Sequence, residues 1–376
     1  MLNQADQKWV EKVVSQIEEK MDWVSEKSRN KIPYMSKDGA HDDFSTKDGI
    51  NWWTNGFWGG ILWLLHAKTK NEKYARIAKI SEKMLDAALE EYYGLHHDVG
   101  FMWLPTSVAS YRQTGDEESR RRGVHVANLM AGRFNPVGKF IRAWNTWGDD
   151  NTGWAIIDCM MNLPLLYWAS EEMADPRFKQ VAMLHADTAM NTFVRPDGSV
   201  KHIVCFDPVT GEYLGNRGGQ GYDENSSWTR GQSWGVYGFA LSYRHTGEQR
   251  YLDTAKKIAH YFIANIPENG LIPVDFRQPK SPSWEDSTAA AITACGLLEI
   301  AEHVSEFEKD MYRNAAIRLL KALYENRCNW TKEKDFILEK CSGQYYEAEH
   351  EYHLVYGDYY FIEGIYRLTG EYFLTW

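Results

Sequence analysis

Two aspartates stand where a carboxylate could do acid–base work. Asp158 is the single carboxylate in the run Trp154-Ala155-Ile156-Ile157-Asp158-Cys159-Met160-Met161. Wound as a helix, that run gives Asp158 no polar face. Burying an ionised carboxylate costs several kcal/mol unless partners compensate. The usual relief is a raised pKa, which leaves the group holding a proton near neutral pH, the profile of a general acid. A structural Asp that caps a neighbouring helix fits the octet as well. Asp98 follows His96 and His97 on a turn and precedes Gly100. It can serve as an N-cap or as the second carboxylate of a pair, and two carboxylates in an aromatic cleft suit acid–base work on a sugar. Asp286 and Asp358 also sit at helix starts, and both read as caps.

Arg230 lies between Trp228 and Trp234 at another helix start. A planar guanidinium among aromatic rings suits fork-like binding of a carboxylate. An Arg stacked on Trp that ties the core together has the same sequence signature. His96-His97-Asp98 and Glu347-Ala348-Glu349-His350-Glu351-Tyr352-His353 are two clusters of metal-ligating types. Neither has the spacing of a known zinc or calcium site. Both read as solvated loop charge, with His97 reaching a cavity as a hydrogen-bonding partner. No metal and no other cofactor is expected.

Strand signals are weak, and helical periodicity dominates, as in residues 9–24 and 74–89. An internal repeat organises the chain. Each unit opens on a turn bearing Trp, Asp or Gly, continues as an apolar helix, turns, and ends as an amphipathic helix. The six openings are Trp52-Trp53-Thr54-Asn55-Gly56-Phe57-Trp58, His96-His97-Asp98-Val99-Gly100-Phe101, the Asp158 octet, Ser227-Trp228-Thr229-Arg230-Gly231-Gln232-Ser233-Trp234, Ser283-Trp284-Glu285-Asp286-Ser287 and Val355-Tyr356-Gly357-Asp358-Tyr359-Tyr360. Thr114-Gly115-Asp116, Thr246-Gly247-Glu248 and Thr369-Gly370-Glu371 read as a Gly helix stop followed by the next start. Six such pairs predict an all-α (α/α)6 barrel. It forms a single catalytic domain over residues 1–376, with residues 1–50 as an N-terminal helix and leading loop. Parallel inner helices bring their N-termini, with their unpaired N–H groups and partial positive charge, to one mouth. The long insertions at 198–225 and 329–352 precede inner helices and should rim that mouth.

Composition narrows the partners. A net charge of −10 argues against nucleic acid, whose phosphates need a basic surface. No stretch is long enough for a membrane span, and the first residues lack a basic segment followed by an apolar one. The five cysteines are odd in number and form no Cys-x-x-Cys pair, which fits buried thiols in a reducing cytoplasm. The 16 Trp and 22 Tyr exceed what surface chemistry needs, so most should fill the core and a few should line a cleft.

Together these motifs resemble the unsaturated glucuronyl hydrolases of glycoside hydrolase family 88. Further matching segments are Asn162-Leu163-Pro164-Leu165-Leu166 and Thr293-Ala294-Cys295-Gly296-Leu297-Leu298-Glu299-Ile300. The likeness covers about residues 50 to 365 and takes in all six units. It implies an (α/α)6 barrel acting on oligosaccharides whose non-reducing end is a Δ4,5-unsaturated uronic acid. It also implies that Asp158 is the general acid/base and that Asp98 assists at the sugar ring. Hydration of the vinyl ether, not displacement at the anomeric carbon, would then break the bond. Trp53, His97, Trp144, His202, Gln220, Arg230 and Trp234 would contact the unsaturated sugar. Some members of the family bind sulfated fragments through a Ser-x-x-Ser-x-Lys element before the last inner helix. Here that loop reads Cys341-Ser342-Gly343-Gln344-Tyr345-Tyr346-Glu347-Ala348-Glu349-His350, lacks the element and is acidic. Like charges there would repel a sulfate, so unsulfated substrates are expected. Alternative readings are a hydrolase for pectin-derived unsaturated galacturonyl-rhamnose, a sugar isomerase or epimerase on the same barrel, and a non-catalytic carbohydrate binder.

Overall fold

A computed structural model describes residues 2–46, 48–146 and 150–376. Among these the chain runs through α1 (Gln4–Lys27), the hairpin β1 (Ser36–Lys37) and β2 (Ala40–His41), α2 (Phe57–Thr69), α3 (Glu72–Met84), α4 (Asp86–Glu91), α5 (Val99–Trp103), α6 (Ala109–Thr114) and α7 (Glu117–Ala131). It continues through β3 (Phe134–Asn135), β4 (Phe140–Ile141), β5 (Trp154–Ile156), α8 (Leu163–Glu172), α9 (Pro176–Thr192), β6 (Ile203–Phe206) and β7 (Tyr213–Arg217). The remaining helices are α10 (Thr229–Thr246), α11 (Gln249–Ala264), α12 (Ser287–His303), α13 (Glu306–Asn326) and α14 (Val355–Leu368).

Apolar and amphipathic helices alternate, and this alternation builds the (α/α)6 barrel. α12 and α14 are buried on every side over most of their length, as a helix in an inner ring must be. α11 instead buries Tyr251, Leu252, Ala255, Ile258, Ala259 and Phe262, a single stripe at helical spacing. α14 packs against both α2 and α12, α12 against α10, and α10 against α8, so the inner ring closes. The second inner helix is the run 99–114, in which a π-turn at Leu104–Val108 joins α5 to α6. Pro105 within that turn has no N–H to give, and a widened turn accommodates the missing bond. Gly115 and Gly247 end inner helices at φ 72° and 73°. This left-handed conformation suits glycine. Asp116 then caps α7 by accepting from the Glu118 and Ser119 N–H groups.

Three expectations need correction. Leu368 is followed by coil and not by an outer helix; the sixth outer position is taken by α1, which packs against α14 and α3. The Asp158 octet is not a helix. Trp154–Ile156 forms β5, antiparallel to β6 with Ile156 opposite Ile203, and Ile157–Met161 is one 3₁₀ turn. Trp and β-branched Ile suit a pleated strand better than a helix, and β6 supplies an edge only after 47 further residues of chain. Asp358 does not cap its own helix; it lies inside α14 and accepts from the Ile337 and Leu338 N–H groups of the preceding loop. Asp286 does cap α12, accepting from the Thr288 N–H.

Far from the mouth, Arg367 donates to Glu299 at 2.5 Å and to Glu302 at 2.8 Å, tying α14 to α12. At the mouth, Gly56 allows the entry to α2 to lie against α5: a Cβ there would stand 2.2 Å from the Phe101 carbonyl oxygen. Replacing Gly56 with Ala should therefore destabilise the fold by about 1–3 kcal/mol. That loss would be read as a lower urea midpoint at unchanged slope.

Candidate active site

The strand–turn at β5 decides where the chemistry sits. Pairing of β5 with β6 sets Asp158 beside His202, and the Ile157 N–H donates to the His202 carbonyl at 3.1 Å. The Gln220 N–H donates to His202 Nδ1 at 3.0 Å, so the ring proton resides on Nε2. That Nε2 lies 3.7 Å from Asp158 Oδ2, outside hydrogen-bond reach. Both atoms are buried without a partner. Asp275 and Asp335, which are fully buried where Asp158 is partly open to the cavity, have both oxygens satisfied. Among the described residues Asp158 is the one carboxylate with a buried, unpartnered oxygen.

Asp98 stands at the entry to α5 but makes no side-chain cap. Its Oδ1 accepts from Asn162 Nδ2 at 3.1 Å. Its Oδ2 lies 3.3 Å from His97 Nε2 and 3.5 Å from His96 Nδ1. Burial alone would raise the Asp98 pKa; the two rings and the Asn162 amide outweigh it and hold the group below the ordinary carboxylate range. Asp158 goes the other way. Burial first, and the charge of Asp98 second, push it up to about 7 against the pull of His97 and Arg230. Burial pushes His202 down to about 3 and His96 down to about 4, so both are neutral near pH 7. Two carboxylates with opposed pKa values in one cavity mark an acid and its ionised neighbour.

The cavity at the inner-helix N-termini measures about 650 Å³, and Trp53, His97, Asp98, Trp144, Asp158, Gln220 and Arg230 all line it. His202 does not line it but stands behind Asp158 and Gln220. Trp234 does not line it: the ring is fully buried below the floor, 5.1 Å from Phe101 and 5.7 Å from Tyr360. Arg230 is less free than a carboxylate fork requires. Its Nη1 donates to Asp286 Oδ2 and to the Ser342 carbonyl, each at 2.6 Å, and its Nη2 donates to the Gly343 carbonyl. The guanidinium also stacks on Trp228 at 4.6 Å. What remains of it can meet an anion end-on. Gln220 Nε2 shares the Gly343 carbonyl at 2.8 Å.

His96, His97 and Asp98 are not solvated charge; their donor atoms lie within 4.8 Å of one another, close enough to share an ion. Nor is the second cluster solvated throughout. His353 is buried against Asp358 at 3.2 Å. Glu347 lines the cavity and accepts from the Gly343 and Gln344 N–H groups and the Tyr352 hydroxyl. Sequence reasoning missed Tyr34, Trp52 and Tyr356 in the lining, and Asn162 between the Asp98 carboxylate and the Asp158 turn. Asn162 had a readable signal: it is polar in an apolar run, four residues after Asp158, where one helical turn brings it back.

A closed helical toroid holding a carboxyl raised to about 7 beside one held ionised, among aromatic rings, has the site of a glycosidase of the (α/α)6-barrel class. Glycosyl Hydrolase Family 88 matches residues 24–367, and the chain belongs to that family. The unsaturated glucuronyl hydrolase of Bacillus sp. (strain GL1) is 38% identical over 352 residues, 90% of this chain and 91% of its own. The unsaturated chondroitin disaccharide hydrolase of Streptococcus pneumoniae (strain ATCC BAA-255 / R6) is 32% identical over 373 residues, 98% of this chain and 92% of its own. A crystal structure of the Bacillus sp. GL1 unsaturated glucuronyl hydrolase, responsible for the degradation of glycosaminoglycan, superposes with a TM-score of 0.89 at 34% identity over 96% of both chains. Membership sets aside the isomerase and the non-catalytic binder.

The Asp158 environment has a stability consequence. The unfolded side chain titrates at its ordinary value of 3.8, the folded one at about 7. Between these values the folded state binds the extra proton, so stability falls as pH rises through the window. Asp158→Asn removes that loss. The variant should melt a few degrees above wild type at pH 8, with the gap closing toward pH 4; equal melting at pH 8 would contradict the burial of this charge.

Proposed function

We propose that this chain removes a Δ4,5-unsaturated glucuronic acid from the non-reducing end of lyase-generated, glycosaminoglycan-type oligosaccharides by hydrating the C4=C5 vinyl ether. The observation that carries the mechanism is Asp158, a carboxyl raised to about 7 in the wall of an open cavity, with no donor on its buried oxygen. In its protonated form it delivers the proton to C4. The cation that develops at C5 is shared with the ring oxygen, and the ionised Asp98 lies where that charge can be stabilised. Asp158, now a carboxylate, takes a proton from the water that adds at C5, and the Nε2–H of His202 can close on it while it is charged. The hemiketal so formed opens and the glycosidic bond is lost. Because the anomeric carbon is never attacked, carboxylate separation does not dictate stereochemistry here as it does for other glycosidases. The sugar carboxylate is met end-on by Arg230, and Trp53 and Trp144 present rings to the sugar faces.

Wild type should abolish the ultraviolet absorbance of the conjugated ene-carboxylate in an unsaturated disaccharide. Asp158→Asn should reduce kcat by about 10² or more; a variant within tenfold of wild type would remove Asp158 from the role.

Besides Asp98 and Asp158, the cavity wall carries two acidic groups. Asp48 and Glu347 line it, no lysine does among the described residues, and Arg230 is already paired with Asp286. Unsulfated or weakly sulfated disaccharides are therefore the preferred substrates. Their kcat/KM should exceed that of sulfated chondroitin disaccharides, and the reverse order would overturn this preference. Among the described residues no helix is long and apolar enough to cross a membrane. All five cysteines are free thiols, in keeping with the cytoplasm as the working compartment.

A further inference from the structure

We propose that Asn162 is a positioning residue that fixes Asp98 against the Asp158 turn and so sets the pH range over which the pair works. The inference rests on the acid–base reading of that pair. Asn162 is fully buried in the turn between Met161 and α8. Its amide is used on both sides. Nδ2 donates to Asp98 Oδ1 and to the Asp158 carbonyl, each at 3.1 Å, while Oδ1 accepts from the Phe101 N–H at 2.8 Å. One side chain thus joins the α5 entry, which carries Asp98, to the backbone of the turn that carries Asp158. Gly100 makes the approach possible: a Cβ there would stand 2.6 Å from Asn162 Oδ1 and 2.7 Å from its Cα.

No other group duplicates this contact. His96 and His97, on the same turn as Asp98, approach Oδ2 and not Oδ1. Arg133, in the turn between α7 and β3, also acts on Asp98, but its guanidinium donates to the Arg142 and Ala143 carbonyls and to Asn145 Oδ1. Cys159 and Asp158 face Asp98 from the 3₁₀ turn and His202 acts from just before β6; none of these donates to Oδ1. Among the described residues Asn162 is the hydrogen-bond donor to that oxygen. A donor on a carboxylate favours its charged form. The charge of Asp98 in turn helps keep the proton on Asp158. Asn162 does not line the cavity, so it works through Asp98 and the Asp158 turn that it joins.

The test is the pH profile of kcat on an unsaturated disaccharide for wild type, Asn162→Ala and Asn162→Asp. Loss of a hydrogen bond to a charged group should move the acid limb of Asn162→Ala upward by about one pH unit, with the alkaline limb in place and KM little changed. Asn162→Asp keeps the size of the side chain and the acceptor for the Phe101 N–H but sets a second carboxylate beside Asp98. Its acid limb should move further in the same direction, and it reads the effect even where the Ala variant folds poorly. Profiles lowered by one factor at every pH, with both limbs coincident with wild type, would reduce Asn162 to packing and overturn the proposal. A wild type without turnover overturns the proposed reaction, and this inference with it.

Discussion

Everything at the mouth of this barrel follows from taking one carboxylate out of water next to another that keeps its charge. Asp98 is surrounded by groups that favour ionisation: two imidazoles at its Oδ2 and the Asn162 amide at its Oδ1. Asp158 receives burial and the repulsion of Asp98, and its inner oxygen has no donor. The two environments push the pKa values apart, and the separation is what makes one group an acid while the other stays an anion. Elsewhere in the molecule buried charge is handled differently. Glu299 is met by Arg367, Arg244 and His303, and Asp358 by two backbone N–H groups and His353. The contrast separates a charge arranged for structure from one arranged for proton transfer.

The closed ring of helices is what permits residues so far apart in the chain to act together. Each inner helix ends its turn at the same mouth, so Trp53, Asp98, Asp158, Arg230 and Tyr356 arrive from five different units. The loops before α10 and α14 complete the wall. The Gly343 carbonyl receives both Arg230 and Gln220, and Glu347 holds the backbone of that same loop. A buried Arg–Asp pair contributes little net stability. Its value at this place is orientation: Asp286 caps α12 and fixes the guanidinium in one act.

The barrel was legible because its signal is spread over the whole chain. Six apolar stretches, four of them followed by a Gly or Asp turn, survive errors at any single boundary. Asp158 stood out as a candidate acid because an acidic residue inside an apolar run is rare enough to notice. What periodicity could not show were facts that depend on distant pairing. The octet around Asp158 opens as a strand because β6 lies beside it, and nothing within eight residues encodes that neighbour. The N-terminal helix completes the ring beside the last inner helix, a closure between opposite ends of the chain. Trp234 carries the family's pattern yet lies under the floor, because a helical repeat does not say which of two neighbouring faces meets the cavity.

An acidic chain that takes an anionic sugar must solve its electrostatics locally. Arg230 is the cation in the cavity wall, yet Asp286 neutralises much of its charge, and Asp98 is ionised nearby. A strongly basic pocket would bind the substrate carboxylate tightly, but it would also pull the proton off Asp158, since a nearby positive charge favours the carboxylate form. Arg230 already lowers the Asp158 pKa against the effects of burial and Asp98. Pairing Arg230 with Asp286 keeps that pull small. The wall therefore balances substrate affinity against the protonation state of its acid. The same balance favours a buried, oriented guanidinium over a free lysine at this place: direction is retained while net charge is given up.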